Sequence, residues 1–324
     1  MTDAAPQPLD RRLSVAPMMD WTTRDYRYLA RLITRHTLLY TEMVVAQAIL
    51  HGDRDRFLSF NDEEHPVALQ LGGSDPRQLA EAARISEQYG YNEINLNVGC
   101  PSDRVQQGKI GAILMAEPEL VGECVETMQA VVSVPVTVKT RIGIDDQDDY
   151  DFLFRFVEQI ERAGCTSLTI HARKAILSGL SPKENREIPE LDYNRAVLIK
   201  EKYPHLEIIL NGGITDIETI QMSLDKLDGA MIGREAYTNP YFMAEVEGKS
   251  FGNHEITGRE KIARTMIEYA QTQNKKHGTP IKSITRHILG LYHHQKGARN
   301  WRRTLSTLPY ENGAGPDVIE KAIK

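Results

Sequence analysis

Cys100 stands in the run Glu93-Ile94-Asn95-Leu96-Asn97-Val98-Gly99-Cys100-Pro101-Ser102, where apolar residues alternate with asparagines up to a glycine and a proline flanking the sulfur. The pattern is that of a buried strand ending at a thiol, which then faces the pocket formed by neighbouring loops. A free cysteine is as readily a small buried hydrophobe as a reactive group, so position alone leaves both roles open. Gln70, Lys139 and His171 close other apolar runs in the same way. A lysine in such a place is costly to bury unless something compensates its charge. A flavin ring would do so, because its N1/C2 carbonyl edge becomes negative on reduction. His171 could support the same edge, Gln70 could bond the ring amide as donor and acceptor, and Pro17, Met18 and Met19 would give an apolar floor. The other reading pairs Lys139 with an acid and makes His171 a satisfied core histidine. Two glycine sites, Asn211-Gly212-Gly213 and Gly233-Arg234, each precede a helix-type segment. Bare amides, a helix N-terminus and the Arg234 guanidinium would make a phosphate cup. Tight turns with glycine caps are the alternative.

These groups need elements to carry them. Short β-branched runs recur at Leu13 to Met18, Leu38 to Met43, Val67 to Leu71, Glu93 to Val98, Val134 to Thr140, Ser167 to His171, Glu207 to Leu210 and Gly229 to Ile232. Amphipathic segments such as Pro76 to Tyr89, Pro118 to Val132, Tyr150 to Ala163, Tyr193 to Tyr203 and Asp216 to Lys226 separate them, with cap signals at Asp75 and Asp216. Eight strand and helix units predict an α/β protein with a closed (β/α)8 TIM barrel, an open doubly wound sheet being the alternative. In a barrel the chemistry gathers at the C-terminal strand ends, where Met18, Gln70, Cys100, Lys139, His171, Gly212 and Gly233 all fall.

Net charge divides unevenly. The 324 residues total −6, but Arg259 to Arg303 carries eleven lysines and arginines against two acids, a net +9. Residues 1–258 then hold −14 and residues 304–324 hold −1. An acidic body joined to a basic module suits a polyanionic partner, and a solvated basic helical face would look the same. After a polar stretch, Lys249 to Gly258, the pattern turns helical through Arg259 to Lys276, Ile281 to Gln295 and Ala298 to Thr307. The expected domains are therefore a barrel over 1–248 and a helical domain over 249–324, with a short terminal helix within 311–324. His287, His293 and His294 lack the four-residue spacing and the carboxylate of a zinc helix, so no metal is expected. Three cysteines without paired spacing suit reduced thiols, Cys124 and Cys165 being packing residues. Met1 to Leu9 has neither the basic start nor the apolar centre of a signal peptide, and no run approaches the roughly 20 apolar residues of a membrane span. A cytoplasmic, monomeric protein is expected.

The chain resembles the tRNA-dihydrouridine synthases, within them the bacterial dihydrouridine synthase A subgroup. Ala16-Pro17-Met18-Met19-Asp20, Asn95 to Pro101, Val138-Lys139-Thr140-Arg141-Ile142-Gly143, His171-Ala172-Arg173 and Asn211-Gly212-Gly213-Ile214 carry the likeness, and Gly179 to Arg186 points to the subgroup. The resemblance implies an FMN barrel followed by a helical tRNA-binding domain. It implies NADPH-driven reduction of uridine to 5,6-dihydrouridine in the tRNA D loop, at positions 20 and 20a. FMN contacts would fall on Pro17, Met18, Met19, Gln70, Lys139, His171, Asn211, Gly212, Gly213, Gly233 and Arg234. Asn97, Lys183, Arg186, Arg299 and Arg302 would meet tRNA. Hydride would pass from FMN N5 to uracil C6, and Cys100 would give the proton to C5. A thiol ordinarily titrates at about 8.5, so acid duty needs no strong perturbation. The rival readings are an FMN barrel acting on a small pyrimidine, as dihydroorotate dehydrogenases do, and a non-catalytic tRNA-binding protein. The first gives no reason for a +9 extension; the second predicts a colourless protein.

Overall fold

The β-branched runs form eight parallel strands, paired in chain order and closed by β1 against β8. They are β1 Leu13–Val15, β2 Leu38–Val45, β3 Val67–Gly72, β4 Glu93–Val98, β5 Val136–Arg141, β6 Ser167–His171, β7 Glu207–Asn211 and β8 Gly229–Ile232. The structure is a computed structural model describing residues 9–252 and 255–323. The expectation for residues 1–8 and part of that for 249–258 therefore lie outside the described residues. Helices Pro76–Glu87, Pro118–Gln129, Tyr150–Arg162, Tyr193–Lys202 and Ile217–Lys226 follow strands three to seven, each a residue or more shorter than its sequence pattern. Asp75, Asp149 and Asp216 cap three of them, each accepting the backbone N–H three residues on.

Both faces of the central strands are buried, as helices outside and a filled lumen inside require. Ile94, Leu96 and Val98 are fully buried, whereas Glu93, Asn95, Asn97, Thr137 and Lys139 of β4 and β5 enter hydrogen bonds with one another or with other strands of the barrel. Ala16, Leu38, Tyr40, Ala68, Ile209 and Met231 form an apolar cluster, with Met18 packed against it. Branched apolar layers usually fill such lumens, so the polar side running through β4 and β5 departs from the norm.

The chain divides into two compact units. One comprises residues up to Met18, Leu38–Phe60 and His65–Gly233; the other comprises Met19–Thr37, Asn61–Glu64 and Arg234 onward. The second is not one continuous tail. Helix Arg24–Ile33 belongs to it: Tyr26 donates to the Ala236 carbonyl, and Tyr269 donates to Asp25. Residues 249–251 end helix Phe242–Phe251, which closes on Gly252 in the left-handed region, so the stretch read as a linker begins inside a helix. Helices Arg259–His277, Ile281–Ile288, Ala298–Thr307 and Asp317–Ile323 follow. The second of these ends seven residues short of its sequence pattern. At Gly290 a Cβ would stand 2.4 Å from the Thr238 carbonyl oxygen, so the chain turns there against backbone.

Candidate active site

Strand register sets the candidate residues side by side. Gln70 pairs with Asn95, Asn97 with Lys139, Arg141 with His171, and His171 with Asn211. Lys139 Nζ donates to Asn211 Oδ1 at 3.0 Å, and Asn211 Nδ2 donates to the Met231 carbonyl, so strands five, seven and eight are tied together in the lumen. No carboxylate partners Lys139 among the described residues. Burial, aided by Arg141, pushes its amine down to about 7. Burial likewise lowers Arg141 to about 10, and burial with Arg141 and Lys139 holds His171 well below its ordinary value. His171 is therefore a neutral imidazole at physiological pH, one nitrogen donating and one accepting.

Cys100 is half-buried, and its loop is pinned from several sides. Asn97 Oδ1 accepts from the amides of Gly99 and Cys100 at 3.1 and 3.0 Å. The Cys100 carbonyl accepts from Ala112, and at Gly111, with φ +83°, a Cβ would meet that carbonyl oxygen at 2.4 Å. Only glycine lets the chain pass so close. The other two cysteines are buried packing residues, pushed up to about 12 chiefly by that burial.

Arg141 was given no role from sequence, yet it spans the mouth. Its Nε donates to the Gly99 carbonyl, and its Nη1 to those of Lys174 and Asn185. Gln106 makes a second tie, donating to the carbonyls of Pro101 and Leu177. Lys183 and Arg186 are exposed on the loop after β6, which buried Asn185 holds by accepting from the Ile176 amide and donating to the Ile176 and Leu180 carbonyls. The signal for Arg141 was a cation at the end of an apolar run, the same signal that selects Lys139.

The glycines behave unequally. Gly212, at φ +112°, would place a Cβ 2.8 Å from the His171 ring, so its bareness makes room for that imidazole. Gly213 is also left-handed, whereas the nearest atom to a Cβ on Gly233 is 4.0 Å away. Asp216 already caps helix Ile217–Lys226 through the Thr219 amide, which limits what that helix end can offer a phosphate. Gln70 is 1% exposed and Asn97 8%, and both amides are engaged at both ends within the protein.

Pro17 and Met18 follow β1, whose Ala16 amide bonds the Ile232 carbonyl of β8, next to Gly233. Met19 and Arg234 open segments of the second unit, which also holds Arg299 and Arg302. The last two are exposed and three residues apart on helix Ala298–Thr307, hence on one face. Trp301 between them is 2% exposed and donates to the Ile288 carbonyl, which makes it core rather than a stacking platform. Among the described residues no cluster of His, Cys, Asp or Glu could hold a metal ion, and no helix is long and apolar enough to cross a membrane.

A closed parallel barrel with polar residues collected at the C-terminal strand ends defines a (β/α)8 enzyme scaffold. The fold resembles that of an old yellow enzyme homologue from Zymomonas mobilis, with TM-score 0.53 and 14% identity over 76% of this chain and 90% of that one. The dihydrouridine synthase family model matches residues 14–323. A tRNA-dihydrouridine(20/20a) synthase of Vibrio cholerae is 56% identical over 96% of this chain and 95% of its own length. The enzyme of that name from Escherichia coli K12 is 53% identical over 100% of this chain and 95% of its own. The chain belongs to the dihydrouridine synthase family and is an oxidoreductase.

Proposed function

We propose that this protein reduces uridine to 5,6-dihydrouridine in the D loop of tRNA, at positions 20 and 20a, using FMN and NADPH in the cytoplasm. The observation that best supports a bound anionic ring is the cluster of Lys139, Arg141 and His171, whose cations have no carboxylate partner among the described residues. Lys139 and His171 would hold the flavin's pyrimidine edge, with Asn211 orienting the amine and Gln70 offering the N–H and lone pair outside its internal bonds. The amides of Gly212, Gly213 and Gly233, with Arg234, would take the phosphate, and Pro17, Met18 and Met19 would line the ring's apolar side. When bound, FMN would supply hydride equivalents from NADPH to uracil C6. Cys100 delivers the proton to C5 from its thiol and regains one from solvent. Asn97 and Arg141 fix that thiol's loop, and Asn97 keeps one N–H for the uracil.

The target base must leave its stack to reach such a site, at a cost of a few kcal/mol that is least in a loop. Phosphate contacts by Lys183, Arg186, Arg299 and Arg302 would offset that cost. The test is direct. The purified protein should be yellow, bleach with NADPH under anaerobic conditions, and form dihydrouridine at positions 20 and 20a in tRNA from a strain lacking the activity. A colourless preparation that leaves this tRNA unchanged when given FMN and NADPH would overturn the proposal.

A further inference from the structure

A one-way chain of hydrogen bonds runs through the lumen to the Cys100 loop. Thr137 Oγ1 donates to Glu93 at 2.6 Å, Asn95 Nδ2 to Thr137 Oγ1 at 2.8 Å, Gln70 Nε2 to Asn95 Oδ1 at 2.8 Å and Asn97 Nδ2 to Gln70 Oε1 at 2.7 Å. Asn97 Oδ1 then receives the amides of Gly99 and Cys100. The direction follows from the ends alone. Backbone N–H groups only donate, and Glu93, ion-paired with Arg11 at 2.6 Å and receiving the Tyr40 hydroxyl, only accepts. Every amide between those ends has a single permitted orientation. Flipping Asn97 would aim its NH2 at two N–H donors and leave buried groups unpaired at each later link.

We infer that Glu93, Thr137 and Asn95 are positioning residues for Cys100, acting through Gln70 and Asn97 to hold the thiol loop in one geometry. Glu93, Asn95 and Thr137 are almost wholly buried, and Thr137 stands 37 residues from Cys100 in sequence. A core that only needed filling would not require four consecutive polar links of matched direction. The inference rests on Cys100 as the proton donor, but its test does not depend on turnover.

Cys124 and Cys165 are buried, so iodoacetamide at neutral pH reads Cys100. Thr137→Val keeps the shape and deletes both the donor and the acceptor, whereas Thr137→Ser keeps them. The valine variant should alter the Cys100 alkylation rate by about threefold or more and lower turnover on tRNA about tenfold at little changed KM, while serine restores both. A folded Thr137→Val protein that alkylates at the wild-type rate overturns the inference, whatever its activity. Loss of turnover in Cys100→Ala tests the acid role separately. Should the valine variant fail to fold, Asn95→Asp supplies the second reading. Its carboxyl donates to Thr137 only when protonated, so its alkylation difference from wild type should shrink as pH falls. A difference that is absent or independent of pH would count against the chain.

Discussion

The N-terminal end of the barrel and its mouth both bury cations, and they treat them in opposite ways. At the N-terminal end Arg11 is gripped by Glu93 at 2.6 Å and Glu207 at 2.8 Å. Burial opposes its charge there, but the two carboxylates outweigh it and raise the guanidinium above its ordinary value. At the mouth Lys139 and Arg141 have amide and carbonyl oxygens for partners, and their charged forms are disfavoured. A closed end can complete its electrostatics within the chain. A mouth left short of negative charge fits the anionic ligand proposed for it.

Three substitutions break or sharpen that contrast. Cys100→Ala should lower the rate of dihydrouridine formation by about 10²–10⁴-fold with flavin content retained, since it would remove the proposed acid and leave the cation cluster intact. Single-turnover reduction of tRNA by the prereduced enzyme checks this, and an unimpaired rate would remove Cys100 from the mechanism. Arg11→Met should cost about 3–5 kcal/mol in chemical denaturation, because it strands Glu93 in the lumen. Lys139→Met should have the opposite sign, raising the stability of the flavin-free protein at pH 6 by about 1 kcal/mol or more. If both variants shift the denaturation midpoint the same way, the two ends are not different in kind.

Lys139 also sets a pH dependence. Between about 7 and 10.5 the unfolded lysine holds a proton that the folded one has lost, so its contribution to stability rises with pH across that window. An anionic ligand prefers the ammonium form. Its affinity should therefore fall as pH rises above about 7, with proton uptake on binding that calorimetry in two buffers detects and that vanishes in Lys139→Met. The smallest effect belongs to the helical unit. Changing Arg299 and Arg302 to Ala should weaken tRNA binding and reduce the salt slope by about 2, one for each lost phosphate contact. An unchanged slope would free that face from the RNA.

Much of this was legible in the chain. Alternation of strands and helices predicted the barrel, and β4, β6 and β8 matched their sequence runs residue for residue. Cys100, Lys139 and His171 stand out in the sequence as polar groups at the ends of apolar runs, and Gly212 as a glycine before a helix-type segment. Arg141 carried the same signal without being assigned its role, because its partners are carbonyls of loops that no periodicity describes. Asn95 and Thr137 had none: an asparagine or a threonine inside a strand looks the same whether it belongs to a chain of bonds or only fills space. The helix expected through Gln295 ends at Ile288, two residues before Gly290, whose missing Cβ leaves room for the distant Thr238 carbonyl, a contact that no local pattern announces.

Residue type and period are local, so the sequence by itself determined strand and helix identity, the caps at Asp75 and Asp216, the chemistry available at each strand end and the uneven charge. Pairing is not local. Arg11 meets Glu93 across 82 residues and Glu207 across 196, and Asn97 reaches Gln70 across 27. Only closure of the barrel brings such groups within hydrogen-bond distance and takes them out of water. The tertiary structure alone therefore decided which buried charges are compensated, which way each lumen amide points, and that Met19–Thr37 belongs with the C-terminal helices.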